Sequence, residues 1–190
     1  LVGESGSGKS MTALAMMRLL PPGAQPSGRI DFGGRDILSL TEAELCNMRG
    51  NEIGMIFQEP MTALNPVQSS GAQVAETLTI HGRASRATAW ARARECLDRV
   101  GLQQISAERF PHELSGGQRQ RVCIAAAIAL RPKLLIADEP STALDVTTQA
   151  QILDLLKGLV DEDGMALLLI THDLGVIAQV AARVAVMKDG

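Results

Sequence analysis

The stretch "GESGSGKS" (residues 3–10) decides how the rest of the chain is read. It fits the pattern G-x-x-x-x-G-K-[ST], with Gly3, Gly8, Lys9 and Ser10 in the fixed places. Glycines let the backbone curl until successive N–H groups point into one concavity, and a helix beginning at Lys9 and Ser10 adds its positive end. Lys9 would reach the β- and γ-phosphates of a nucleotide as a point charge, and the Ser10 hydroxyl would ligand Mg²⁺. Chance produces the pattern in roughly one chain in a hundred of this length. Here it also stands between an apolar strand end (Leu1, Val2) and an apolar helix (Ala13, Leu14, Met17), the setting such a loop needs. Gly3, Glu4, Ser5, Gly6, Ser7, Gly8, Lys9, Ser10 and Met11 are therefore expected to bind a nucleotide.

Working outward, the loop needs an acidic partner at the end of another strand, and "LLIADEP" (134–140) supplies it. Four apolar residues bury a strand, Asp138 emerges at its C-terminal edge to hold the Mg²⁺ shell, and Glu139 is placed to act as general base on a water. An apolar run ending in Asp-Glu is a weak signal alone, because many buried strands end in an acidic turn. Beside a phosphate loop it is a strong one. "IGMIF" (53–57), "MALLLI" (165–170) and "VAVM" (184–187) are also nearly continuous apolar runs, as strands buried on both faces require. Between them lie helical patterns such as 145–160, where Ile152, Leu153, Leu156, Leu159 and Val160 share a face. The alternation predicts an α/β domain with a mainly parallel sheet.

The middle of the chain differs. From about residue 68 to 130 strand signals are few. In 89–100, Trp90, Ala93, Leu97 and Val100 recur at helical spacing, with Gly101 as C-cap and Glu95 placed to pair with Arg99. "PSGRIDFGGRDI" (26–37) predicts a hairpin turning at Gly33-Gly34. The expected organisation is one domain: a core of residues 1–67 and 131–190 around a helical insert, 68–130.

A chain of 190 residues, 46% hydrophobic and 21% charged, suits one domain with a buried core. A net charge of −3 argues against a general nucleic-acid surface. Arg83, Arg86, Arg92, Arg94 and Arg99 do cluster, but Glu95 and Asp98 are interleaved with them, the pattern of a solvated helix face. Cys46, Cys96 and Cys123 are widely spaced and form neither a disulfide framework nor a metal motif. The best apolar run, "VCIAAAIAL" (122–130), falls short of the ~18 residues of a membrane span. These features, with no signal peptide, predict a soluble, cytosolic protein. Leu1 lies inside an apparent strand and "VAVMKDG" stops as a strand reaches a turn, so a sequence partial at both ends is expected.

A second glycine turn, "LSGGQRQR" (114–121), opens a helix with two adjacent glycines and a glutamine, again the makings of a phosphate site. The order of phosphate loop, Gln58 after an apolar strand, "LSGGQ", "LLIADEP", "STALD" and His172 after a strand resembles an ATP-binding-cassette (ABC) ATPase over essentially the whole chain. The resemblance implies a P-loop (RecA-like) core with a small antiparallel β part and an inserted helical subdomain. It also implies a head-to-tail dimer that buries two ATP molecules. Ser115, Gly116, Gly117 and Gln118 would then close over the γ-phosphate held by the partner's loop, which is why one chain carries two phosphate turns. By the same resemblance Gln58 senses Mg²⁺ and the γ-phosphate, and His172 hydrogen-bonds that phosphate. Ser141 to Asp145 cross the dimer interface, with Asp145 the contact. The catalytic set is then Glu139, His172, Lys9 and Gln58, and the Mg²⁺ set is Ser10, Gln58 and Asp138. His81 and His112 have no comparable role and are expected to be structural.

"FQEPMTALNP" (57–66) and "RFPHELSGGQRQRV" (109–122) are similar to the ATP-binding subunits of oligopeptide and dipeptide importers, a group that includes nickel uptake systems. That branch implies a second, identical or different ATPase subunit and two integral membrane permease subunits. It further implies an extracytoplasmic solute-binding protein, no nucleic acid, and a place on the cytoplasmic face of the inner membrane. The chain departs from the pattern at Ala182, where an acidic residue is usual, and at Lys188, where an aromatic is usual. The aromatic that stacks on adenine in the family would lie upstream of Leu1. Two rivals predict different things. A cassette ATPase of DNA repair or chromosome structure would carry a long coiled-coil or zinc-binding insertion after Gln58, but only 55 residues separate Gln58 from Leu114, without heptads or a cysteine cluster. A truncated nucleotide-binding module would show no turnover.

Overall fold

The computed structural model describes residues 1–190 except Ala143, and leaves undescribed the side chains of Met61, Leu174, Ala178 and Gln179. β1 (Val2–Gly3) runs into the glycine loop and α1 (Lys9–Met16). A short hairpin follows, β2 (Asp31–Phe32) and β3 (Arg35–Asp36), then α2 (Glu42–Met48), β4 (Ile53–Ile56) and α3 (Pro60–Ala63). Helices α4 (Ser70–Ile80), α5 (Arg86–Arg99) and α6 (Gly116–Ile128) occupy the middle. The chain ends with β5 (Leu134–Asp138), α7 (Val146–Asp163), β6 (Ala166–Ile170), α8 (Leu174–Val180) and β7 (Val186–Met187).

β5 lies between β4 and β6, parallel to both, with Ile53 opposite Leu134 and Leu134 opposite Ala166. A parallel bridge from Val2 to Thr171 carries the array on to β1, which pairs in parallel with β7. The central strand explains the unbroken apolar run: Leu135, Ile136 and Ala137 are all fully buried. Successive side chains of a strand point to opposite faces. Ile136 accordingly joins Ala13, Met17, Leu45 and Met48 under α1 and α2, while Leu135 and Ala137 join Ile124, Ile128, Ile152 and Leu156 under α6 and α7. Phe57 falls beyond the end of β4 and is half-exposed, and β7 is only two residues long, shorter than the apolar run 184–187 suggests.

The hairpin turns where expected, with Gly33 and Gly34 both at positive φ (60° and 81°), the backbone a two-residue type I′ turn requires. Gly101 (φ 80°) ends α5 as expected. The Leu102 N–H reaches back to the Leu97 carbonyl and the Gly101 N–H to that of Asp98, both at 3.0 Å, which is the Schellman arrangement.

Two expectations for α5 are corrected. Its buried stripe is Ala89, Ala93, Cys96, Leu97 and Val100, and Trp90 stands at the stripe's edge, 37% exposed. Residue 90 lies about 60° round the helix from residue 93 at 100° per residue, so only part of the ring is covered. Arg99 does not pair with Glu95. It reaches Glu162 and Asp163 at the end of α7, at 3.2 and 3.0 Å, a tertiary tie that a helical-spacing rule cannot foresee.

α6 lies directly on β4 because residue 54 has no side chain. A Cβ there would stand 2.5 Å from the Ala127 carbonyl oxygen and 3.1 Å from Pro132 Cγ. Gly54→Ala should push α6 off the sheet and cost about 1–3 kcal/mol, as overpacking against rigid backbone does. Chemical denaturation of the variant checks this; an unchanged midpoint would mean that α6 is not seated as described.

Candidate functional site

The C-terminal ends of β1, β4, β5 and β6 lie side by side, the place where open parallel sheets collect ligands. Each end delivers a predicted residue: the phosphate loop after β1, Gln58 after β4, Asp138 and Glu139 at β5, and His172 after β6. Residues spread over most of the sequence are thereby brought together.

The loop has the backbone its glycines allow. Gly6 (φ 84°) and Gly8 (φ 91°) are left-handed, and Gly8 is the N-cap of α1. Lys9 is buried, and its ammonium donates to the carbonyl oxygens of Gly3 and Glu4, both at 2.9 Å. Glu4 and Ser5 are exposed, and Met11 is 40% exposed beside them. Buried polar atoms in native proteins almost always have a partner. Three buried side-chain atoms among the described residues have none, and two of them, Ser7 Oγ and Asp138 Oδ1, lie in this site.

Asp138 carries a further sign of an incomplete environment. Burial holds its carboxyl above the ordinary aspartate value and the neighbouring Glu139 charge adds to that, while the Ser10 hydroxyl and Lys9 act the other way. A buried carboxylate with one free oxygen, beside a serine hydroxyl, has the hard oxygen donors that a divalent cation takes. The residues present therefore fit Mg²⁺ and a phosphate chain.

Glu139 sits in the left-handed region (φ 45°), which costs a non-glycine residue of order 1–3 kcal/mol. Its N–H donates to the Ile170 carbonyl at 2.9 Å, which holds that turn against β6. The carboxylate is held from three sides. Oε2 accepts from Gln58 Nε2 at 3.1 Å and from the Thr142 hydroxyl at 2.9 Å, and Oε1 lies 3.1 Å from His172 Nδ1. Burial raises the pKa of this group. The bonds from His172 and Thr142, then the charges of His172 and Lys9, outweigh it and leave the carboxyl below the ordinary glutamate value. Thr142 was not expected here; its only sequence signal is its position three residues after Glu139.

The second glycine turn lies elsewhere. Ser115 is the N-cap of α6 and forms a capping box with Gln118: the Gln118 N–H donates to Ser115 Oγ at 3.3 Å, and the Ser115 N–H to Gln118 Oε1 at 2.9 Å. Gly116 and Gly117 are then the first two helical residues, whose N–H groups have no carbonyl in the helix to bond. A Cβ on Gly117 would stand 2.7 Å from Thr148 Cγ2, so α6 begins against the start of α7. Together with Leu144, Asp145, Thr148 and Gln151 these residues line a depression of about 480 Å³ that includes no phosphate-loop residue.

Asp145 is the N-cap of α7. Its two carboxylate oxygens accept from the N–H and hydroxyl of Thr148, at 3.0 and 2.7 Å, and these bonds hold the carboxyl below its usual value. Ala143 of "STALD" lies outside the described residues. His112 stacks on Phe110 (5.8 Å), and His81 lies against Gly50.

Residues 1–142 match a protein family described as ABC transporter. Over its whole length the chain is 55% identical to the oligopeptide transport ATP-binding protein OppD of Bacillus subtilis and 56% identical to the peptidoglycan transport ATP-binding protein YejF of Agrobacterium fabrum. It spans 54% of the first and 36% of the second. Among solved structures, the dimeric ATP-binding cassette MJ0796 in a post-hydrolysis state, bound to ADP and Pi, superimposes with a TM-score of 0.85 at 36% identity. The match covers 100% of this chain and 80% of that one. Motif order, parallel-sheet topology and these similarities agree: the chain belongs to the ABC transporter family.

Proposed function

We propose that the chain is the ATP-binding and ATP-hydrolysing part of an importer ATPase, and that it works as a head-to-tail dimer with a second cassette. The observation that carries this is the convergence of Lys9, Asp138, Glu139, Gln58 and His172 on strand ends where buried polar atoms lack partners. The curled loop and the start of α1 would surround the phosphates with N–H groups, and Lys9 would exchange the Gly3 and Glu4 carbonyls for phosphate oxygens. Ser10, Asp138 and Gln58 would hold Mg²⁺, which would supply positive charge to offset that of the phosphates. Glu139, kept ionised by its hydrogen bonds, would take the proton of the attacking water. Gln58 and His172, both already touching Glu139, would turn to the γ-phosphate.

The turn at Ser115–Gln118 would serve the partner's nucleotide. Its depression holds no phosphate-loop residue, and Gly116 and Gly117 line it at a helix N-terminus, where the first N–H groups have no partner within the helix. Residues 68–130 would form the helical subdomain and the rest the core. The transported solute is proposed to be a peptide, as in the names of OppD and its like, in preference to nickel. Two membrane subunits would form the channel, fed by an extracytoplasmic solute-binding protein, with this chain peripheral on the cytoplasmic face; no helix among the described residues is long and apolar enough to cross a membrane.

Light scattering on Glu139→Gln tests the dimer. A doubled mass with Mg-ATP and a monomer with Mg-ADP is expected, because only the γ-phosphate joins the two turns. A monomer in both states, for the full-length chain, would count against a self-paired dimer.

A further inference from the structure

We infer that Thr142 is a positioning residue for Glu139, a role distinct from any part that residues 141–145 play at a dimer interface. The inference rests on Glu139 being the general base. Three side chains hold the Glu139 carboxylate, but they differ in kind. Gln58 and His172 arrive from the ends of β4 and β6, 81 and 33 residues away in sequence, and on the proposed function both would turn to a γ-phosphate. Thr142 is three residues away in a closed turn, where its own N–H donates to the Glu139 carbonyl at 3.1 Å while its hydroxyl donates to Oε2 at 2.9 Å. The turn thus fixes backbone and side chain of the same residue together.

That hold has a reason. A glutamate at φ 45° has an unfavourable backbone and a side chain of three rotatable bonds, so its carboxylate must be tied down to face one direction. A carboxylate offers about four lone-pair sites. When Gln58 and His172 turn away, Thr142 still occupies one site on Oε2, and Oε1 has both its sites open to accept the proton of a water. Thr142 thereby orients the carboxylate and favours Oε1 as the base.

The test compares Thr142→Val, which keeps the shape and removes the hydroxyl, with Thr142→Ser, which keeps the hydroxyl, in the full chain. Hydrogen bonds to charged groups contribute about 1.5–3 kcal/mol, so Thr142→Val should lower kcat for ATP hydrolysis roughly 10- to 100-fold with KM unchanged. Thr142→Ser should stay within about threefold of the parent. In a Glu139→Gln background, Thr142→Val should have no further effect, since residues acting as one unit are not additive. A parent-like kcat for Thr142→Val, an equally slow Thr142→Ser, or an undiminished effect in the Glu139→Gln background would each overturn the inference. If Thr142→Val does not fold, Thr142→Ala is read in the same way. Should Glu139→Gln itself hydrolyse ATP normally, it is the proposed function that fails, and the two failures are told apart by that single variant.

Discussion

Glu139→Gln should lower ATP hydrolysis roughly 10²- to 10⁴-fold, the range that general acid–base catalysis contributes, and leave ATP binding intact. The amide is almost the same size as the carboxylate, so the turn at φ 45° and its bond to Ile170 have no reason to change. What disappears is the proton acceptor. Glutamine can still accept from Thr142 through its carbonyl, but it cannot take a proton from water near neutral pH. The neighbouring carboxylate, Asp138, is buried and beside the Ser10 hydroxyl, away from the bonds that hold Glu139. Phosphate release in a single-turnover assay, beside a titration with a fluorescent ATP analogue, separates the two effects. Parent-like hydrolysis would remove Glu139 from the role of base.

Lys9→Ala should weaken ATP binding by about 10²–10³-fold, equivalent to roughly 3–4 kcal/mol from two charge-assisted bonds to phosphate. Lys9 is only 5% exposed, and both its hydrogen bonds go to neutral carbonyls, so its positive charge is held in the loop without a bonded counter-charge. A phosphate chain supplies that counter-charge. Binding to the folded state raises stability by RT ln(1 + [L]/Kd). Adding Mg-ATP should therefore raise the melting temperature of the parent and leave that of Lys9→Ala almost unmoved. An equal rise in both would mean that the loop binds through its N–H groups alone.

The two largest effects fall on residues that were legible in the sequence, and the reason is local. A phosphate loop is a continuous turn whose glycines, lysine and serine must be adjacent in the chain, and an acidic strand end needs only the strand before it. Fold class was legible for a similar reason, because β5 is buried on both faces and shows it as the unbroken run Leu134–Ala137. The helix caps at Ser115, Asp145 and Gly101 are likewise matters of a few neighbouring residues. Spacing failed where a side chain had a choice of partners. Arg99 had Glu95 one turn away and took Asp163 and Glu162 on another helix. Trp90 obeyed the helical period but fell at the edge of the stripe that α4 and α6 cover.

By itself, then, the sequence determined the phosphate loop, the acidic strand end, the second glycine turn and the parallel α/β core, because each is written in contiguous residues or in a short period. Only the tertiary structure decided what those groups do to one another. Gln58, Thr142 and His172 meet on one carboxylate because three different strands end on the same side of one sheet, and β6 draws the Glu139 backbone into a left-handed turn. Lys9 folds back on its own loop, and Asp138 keeps an oxygen with no partner. Such contacts join residues up to 81 positions apart in the chain, and no local pattern encodes a distance of 3 Å across a sheet.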